Sequence, residues 1–167
     1  QQRCQYLLQE GPFVAYTAWY CPAGYLYINW GAHPHKMPVP VPDGFTYDYI
    51  SSTTLAEMRV ADGRLALPSG QSYAFLILPE KFFELPEAGA KELARLRAAG
   101  ATVVAFEEAA AFLKARAPDF ACDDPKAKVT YIHRRADGTD WYFVASPDES
   151  PRRLVCSFRV AGRKPEL

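Results

Sequence analysis

The chain has 167 residues, of which 49% are apolar and 14% aromatic, so it can bury a core and is not a disordered segment. Nineteen basic and nineteen acidic side chains give a net charge of zero, which offers no attraction to nucleic acid or to an anionic membrane surface. No apolar run approaches the ~20 residues that span a bilayer, so we expect a soluble globular piece with no nucleic-acid or membrane partner.

The first 42 residues combine helix-like, strand-like and proline-rich stretches. The chain begins at Gln1 without an initiator Met, in a helix-like run that Gly11 would end, and it closes on Leu167 after a strand-like run. We therefore expect it to be a segment of a larger protein. Residues 13–20 predict a strand because they are aromatic and β-branched. Residues 24–30 fit either a second strand or an aromatic loop, and the prolines from 34 to 42 predict an extended linker.

The middle of the chain alternates strands and helices. Ser51 or Ser52 can cap a short helix, and Asp62-Gly63 marks a turn. Pro86 suits a helix N1 position and Gly100 suits a helix C′ position. The predicted strands are 64–67, 73–78 and 101–106, and the predicted helices are 87–99 and 107–116. Strand, helix and strand in succession predict parallel pairing in an open α/β sheet.

From residue 128 the pattern changes to consecutive strands without helices. Residues 129–134 and 140–145 flank Asp137-Gly138, a pair typical of a tight hairpin turn, and residues 154–160 predict a third strand. This arrangement favours an antiparallel sheet, and we expect it to begin a β-sandwich. We place a domain boundary near residues 117–128.

Two features point to ligand contact. Aromatic rings that are exposed can stack on sugars, and five aromatic residues are close in sequence, although packing in a core is the commoner role for such rings. These are Trp19, Tyr20, Tyr25, Tyr27 and Trp30. Glu80 follows the predicted strand 73–78, at the carboxyl edge where parallel sheets bind ligands.

The sequence gives little support for catalytic residues, cofactor binding or a metal site. No acidic pair can be singled out for glycoside hydrolysis and no nucleophile elbow follows a strand, so we predict no catalytic residue. No glycine-rich loop follows residue 78, so we predict no nucleotide cofactor. His33 and His35 could share a metal, but they lack a third ligand, and a proline-rich surface loop is favoured. His133 is expected to be a hydrogen-bonded sheet residue. Four dispersed cysteines favour separate half-buried thiols, and the sequence cannot pair them if a disulfide forms.

Several strings, in order along nearly the whole chain, resemble one family. They lie at residues 3–11, 44–50, 62–68, 73–79, 99–104, 132–135, 142–145 and 158–167. Together they resemble the large α-L-rhamnosidase-like glycoside hydrolases of family 106.

The resemblance implies a position in a longer protein. Residues 1–12 would end a preceding barrel domain, residues 13–122 would form a Rossmann-like domain similar to the amidotransferase fold, and residues 123–167 would be the first strands of a truncated β-sandwich. The chain would be a non-catalytic middle segment, with flanking barrel and sandwich domains as partners. The parent protein would hydrolyse terminal α-L-rhamnosyl linkages of rhamnose-containing glycans in the periplasm or outside the cell. The resemblance also allows calcium in the parent. The alternative is a stand-alone α/β carbohydrate-binding module that catalyses nothing.

Overall fold

The computed structural model describes residues 8–9, 11–22, 41–81, 84–147 and 150–166. The chain divides into two compact units, Ala15–Arg116 and a second unit made of Gln1–Val14 with Ala117–Leu167. We call them the parallel-sheet unit and the antiparallel unit. The predictions for residues 1–7 and 23–40 lie outside the described residues.

The parallel-sheet unit contains strands, helices and two sheets. Its elements in chain order are β1 (Thr17–Tyr20), β2 (Tyr47–Ile50), α1 (Ser52–Glu57), β3 (Arg59–Ala61), β4 (Arg64–Ala66), β5 (Ser72–Tyr73), β6 (Phe75–Ile77), α2 (Glu87–Ala98), β7 (Val103–Val104) and α3 (Phe106–Lys114). Four parallel strands form the main sheet in the order β2-β1-β6-β7, and β3, β4 and β5 form an antiparallel sheet.

The burial of its strands agrees with the parallel pairing of the main sheet. Every residue of β1 and of β6 is buried, as expected for parallel strands that are covered on both faces. Thr17 in β1 lies opposite Tyr47 on one side and opposite Phe75 on the other, so β1 is an interior strand. β6 pairs in parallel with β7 after α2, which confirms the predicted strand–helix–strand unit.

The helices begin and end at residues with a clear local role. Ser51 caps α1, since its hydroxyl accepts a hydrogen bond from the Thr54 amide at 3.2 Å. Gly100 follows α2 with a φ of +92°, which confirms the predicted C′ glycine. Gly89 in α2 is buried and lies directly against Tyr20. Only glycine fits here without a shift, because a Cβ would overlap the Tyr20 hydroxyl and lie 2.9 Å from its Cζ.

The antiparallel unit contains two strand pairs. Its strands are β8 (Phe120–Cys122), β9 (Thr130–Ala136), β10 (Thr139–Ala145) and β11 (Cys156–Phe158). β9 pairs with β10, and β8 pairs with β11. Asp137 and Gly138 join β9 to β10 with φ values of +48° and +74°, the positive values that a two-residue hairpin turn requires. The predicted hairpin is confirmed.

Aromatic rings connect the two strand pairs of this unit. The rings of Phe120 and Tyr131 lie 4.9 Å apart, and those of Tyr142 and Phe158 lie 4.7 Å apart. A short N-terminal stretch extends the β9 side, because the amide of Val14 donates to the carbonyl of His133 at 2.8 Å. The described fold is therefore mixed α/β, with one parallel sheet and several antiparallel sheets.

Some sequence predictions were wrong in detail. Residues 73–78 form two strands rather than one, because the chain passes from β5 to β6 at Ala74. The strand predicted at residues 154–160 is shorter, Cys156–Phe158, and its antiparallel partner is β8. Pro86 is the N-cap of α2 rather than N1. The strands β2, β3 and β8 were not predicted, since each has only three or four residues and they follow no clear alternation.

Candidate functional site

The aromatic residues predicted to stack on sugar divide into two groups. Trp19 is 1% exposed and Tyr20 is fully buried, so neither ring presents an open face in this structure. The centroid of the Trp19 ring lies 5.7 Å from that of Tyr47 and 5.8 Å from that of Phe106, so Trp19 packs in the core, the commoner role for aromatic rings. Tyr25, Tyr27 and Trp30 lie outside the described residues. Sugar contact by any of the five stays a prediction.

Glu80 lies at the carboxyl edge of the parallel sheet, three residues after the end of β6, and is half-buried. β2 and β6 lie on opposite sides of β1. The chain therefore runs from β1 to β2 on one side and then crosses to β6 on the other, so the direction of strand addition reverses at β1. Ligands of open α/β sheets bind outside the carboxyl ends of the strands at such a reversal. The neighbouring amide of Lys81 donates to the Glu107 carboxylate at 3.4 Å, which ties this loop to the start of α3.

Metal binding has no support in the part of the chain that the structure describes. Within those residues no group of three or more His, Cys, Asp or Glu side chains could hold a metal ion. His33 and His35 lie outside the described residues. No helix among the described residues is both long and apolar enough to cross a bilayer.

The antiparallel unit holds a buried polar cluster that the sequence did not predict as a whole. His133 in β9 is 1% exposed, and its Nδ1 lies 3.0 Å from Oδ2 of Asp119, which is also 1% exposed. On the other side of the ring, Nε2 lies 2.9 Å from Oδ1 of Asp140. We call these three residues the Asp119–His133–Asp140 cluster. The expectation that His133 is a hydrogen-bonded sheet residue is confirmed.

The strand register brings the cluster together. Tyr142 in β10 lies directly opposite His133 in β9, and their rings stack with centroids 4.0 Å apart. Asp140 precedes Tyr142 by two residues and therefore projects from the same face of β10. Asp119 stands immediately before β8 and also accepts a hydrogen bond from the Tyr142 hydroxyl at 3.0 Å. No local sequence pattern marks Asp119, because its side-chain partners are all at least 14 residues away in sequence.

Each ring nitrogen of His133 faces a carboxylate within hydrogen-bond distance. An ionised carboxylate only accepts hydrogen bonds, so a ring nitrogen that carries a proton donates to the carboxylate it faces. Burial acts to raise the pKa of Asp140, but the hydrogen bonds and positive charges of His133 and Arg135 outweigh it and hold that pKa below its usual range. The guanidinium of Arg159 lies 3.4 Å from Asp119 and places a positive charge beside that carboxyl group.

Burial raises the pKa of two further side chains, Tyr142 and Asp48. Burial, together with the charge and hydrogen bond of Asp119, raises the pKa of the Tyr142 phenol, so it remains a proton donor. In the parallel-sheet unit, burial raises the pKa of Asp48 although Tyr73 donates to its Oδ2 at 3.0 Å and Gln71 at 3.3 Å. Asp48 is thus a half-buried carboxyl whose charge the fold disfavours.

Comparison with known proteins gives these sites a family context. Residues 1–112 and 107–167 match the model of glycoside hydrolase family 106, described as alpha-L-rhamnosidase. The chain belongs to this family.

Two relatives show how much of such a protein the chain represents. The solved structure of a rhamnosidase from Novosphingobium sp. PP1Y matches with a TM-score of 0.79 and 23% identity, over 96% of this chain and 20% of that one. A protein of Formosa agariphila named "Putative beta-glucuronidase" is 27% identical over 203 aligned positions, which cover 99% of this chain and 17% of that protein. The chain therefore shares the fold of a rhamnosidase segment and spans a fifth or less of each relative.

Glycoside hydrolase chemistry gives a test of the buried cluster. Members of most such families use two carboxyl groups on either side of the scissile bond, about 5–9.5 Å apart, with room for sugar or water between them. The imidazole ring of His133 lies between Asp119 and Asp140, and both carboxylates are at most 5% exposed. The cluster therefore holds its two carboxylates buried against the His133 ring.

Proposed function

We propose that the chain is a non-catalytic middle segment of a rhamnosidase-like glycoside hydrolase, and that the parent protein hydrolyses terminal α-L-rhamnosyl linkages. The observation that carries the proposal is the family match along both stretches of the chain. The small share of each relative that the chain covers leaves most of such a protein, including room for a catalytic domain, elsewhere. In the Asp119–His133–Asp140 cluster the imidazole ring lies between two buried carboxylates, and this arrangement supports the non-catalytic role.

The segment has a Rossmann-like sheet followed by the beginning of a β-sandwich. The four parallel strands with a helical crossover support the first part. Aromatic packing between the two strand pairs of the antiparallel unit supports the second.

A flanking domain covers the outer face of the hairpin. Ile132, Trp141 and Phe143 are each 37–40% exposed, and they line one shallow apolar groove together with Leu8 and Arg134. Large apolar side chains side by side on a surface are typical of a contact with another domain or protein. The same face is therefore the expected site of contact with a neighbouring barrel or sandwich domain.

The substrate contact of the segment is at the carboxyl edge of the parallel sheet, through Glu80. Its position after β6, beside the reversal in strand order, supports this assignment. Glu80 would hydrogen-bond a sugar hydroxyl and help to shape the substrate cleft without taking part in bond cleavage. Trp19 and Tyr20 would act only behind this surface, since both are buried.

The test uses the longer protein that carries this segment, assayed with an aryl α-L-rhamnoside. We expect Glu80→Gln to raise KM with little change in kcat, and Asp48→Asn to leave both within about two-fold, because neither carboxyl takes part in bond cleavage. Glu108→Gln, at an exposed position in the first turn of α3, is the matched control. A kcat lowered a thousand-fold by Glu80→Gln or Asp48→Asn in folded protein would contradict the non-catalytic role.

A substrate panel separates the role of the segment from the reaction of the parent. It includes an aryl β-D-glucuronide, because one relative bears that name. Turnover of the glucuronide without turnover of the rhamnoside would overturn the proposed reaction and leave the non-catalytic role intact. Hydrolysis by the 167-residue chain alone would overturn that role. The rival binding module requires exposed aromatic rings in a groove, and the described residues of the predicted platform, Trp19 and Tyr20, are buried.

A further inference from the structure

Cys122 and Cys156 lie directly opposite each other in the antiparallel pair β8–β11. They are 34 residues apart in sequence, so nothing in the sequence indicated this pairing. Both are thiols in this structure and both are half-buried, so a small oxidant can reach them. Cys21 is different, because it is buried in the core of the parallel-sheet unit.

The ladder geometry brings the Cα atoms of the two cysteines close. The amide of Asp123 donates to the carbonyl of Val155 at 3.1 Å, and the amide of Arg159 donates to that of Asp119 at 2.9 Å. Hydrogen-bonded pairs alternate with non-hydrogen-bonded pairs in an antiparallel ladder, so Cys122 and Cys156 occupy a non-hydrogen-bonded position. Cα atoms in such a pair are about 4.5 Å apart, which lies within the range of disulfides, roughly 4.4–6.8 Å.

A second observation agrees with this closeness. Burial, the neighbouring Cys122 thiol and the charge of Asp123 all raise the pKa of the Cys156 thiol. A thiol influences the titration of another only across a short distance. The Cys122 thiol also donates to the carbonyl of Asp124 at 3.3 Å, a weak bond that a disulfide would replace at small cost.

We propose that Cys122 and Cys156 form a disulfide that closes the antiparallel unit around its hairpin. The oxidant is a small or protein disulfide. One thiolate attacks it to give a mixed disulfide, and the second thiolate displaces the remaining oxidant half as a thiol. The protein loses two protons and two electrons, and the oxidant disulfide is reduced to two thiols. The closed loop contains all of β9 and β10, so the bond restrains the unfolded chain at the hairpin that carries His133.

The experiment incubates the purified protein with glutathione disulfide and maps its peptides without reduction. Trypsin places Cys122 in peptide 117–126 and Cys156 in peptide 154–159, whereas Cys4 and Cys21 share peptide 4–36. We expect a linked 117–126/154–159 species, a loss of two hydrogen atoms from the intact mass, and a Tm higher by roughly 10 °C that a reductant reverses. A longer protein that carries the segment is mapped in the same way.

Controls separate geometry from chance pairing. Cys122→Ser should leave Cys156 free for alkylation, and the double variant with Cys156→Ser should fold with the Tm of the reduced protein. In concentrated guanidinium the four cysteines can form six different pairs, so the preference for this pair should disappear. Mixed glutathione adducts on both cysteines, a predominant link to Cys4 or Cys21, or equal selectivity in guanidinium would each overturn the proposal.

Discussion

Replacing Gly89 by Ala should destabilise the chain, although the same change in an ordinary helix is favourable. Alanine is preferred over glycine inside a helix by about 1 kcal/mol. At Gly89, however, the added Cβ would overlap the hydroxyl of Tyr20 and lie 2.9 Å from its Cζ. Tyr20 is fully buried in β1 and cannot turn away into solvent. Either the ring or α2 must therefore move.

The magnitude follows from what this movement breaks. The Tyr20 hydroxyl lies 2.9 Å from Oγ of Ser52, and losing this part-buried hydrogen bond costs about 1–3 kcal/mol. Overpacking adds about 1–3 kcal/mol. Set against the gain in helix propensity, the free energy of unfolding should fall by roughly 1–5 kcal/mol.

Chemical denaturation followed by circular dichroism measures this change, and a double-mutant cycle identifies its cause. Tyr20→Phe removes the overlapping hydroxyl, so Gly89→Ala should cost less in the Tyr20→Phe background than in the parent protein. Two results would refute the reasoning. One is a gain in stability from Gly89→Ala alone, and the other is an equal cost in both backgrounds.

Three further predictions concern charge and backbone shape. Asp140→Asn should lower the free energy of unfolding at pH 7 by roughly 2 kcal/mol. This difference should shrink below about pH 4, because a carboxyl with a lowered pKa stabilises the fold only while it is ionised. Urea titrations at several pH values test this prediction. Asp48→Asn should raise the free energy of unfolding at pH 7, since burial raises the pKa of Asp48, and this gain should vanish as pH falls through that pKa. Gly11→Ala should cost more than Gly63→Ala in thermal melts: both have positive φ, but only at Gly11 would a Cβ overlap a neighbour, the backbone of Arg135. Equal costs at the two glycines would contradict the last prediction.

The family could be predicted from the sequence because the evidence for it is spread along the chain. Short strings such as residues 62–68 and 73–79 are weak individually, but their order is preserved from one end to the other. The match of residues 1–112 and 107–167 to the family confirms that prediction. The candidate sites were harder to predict. Trp19 and Tyr20 are in fact buried, and sequence proximity of aromatic rings does not distinguish a core from a binding surface.

Local rules by themselves determined the elements whose signals lie within a few residues. A stripe of Leu93 and Leu96 followed by Gly100 specified α2, and Asp137-Gly138 specified the hairpin, because helix caps and tight turns depend on the conformations of neighbouring residues. Tertiary structure alone decided that β11 pairs with β8, that Cys122 faces Cys156, and that Asp119 reaches His133. These contacts join residues 14 or more positions apart, and their formation depends on strand register and burial, which no short stretch of sequence encodes.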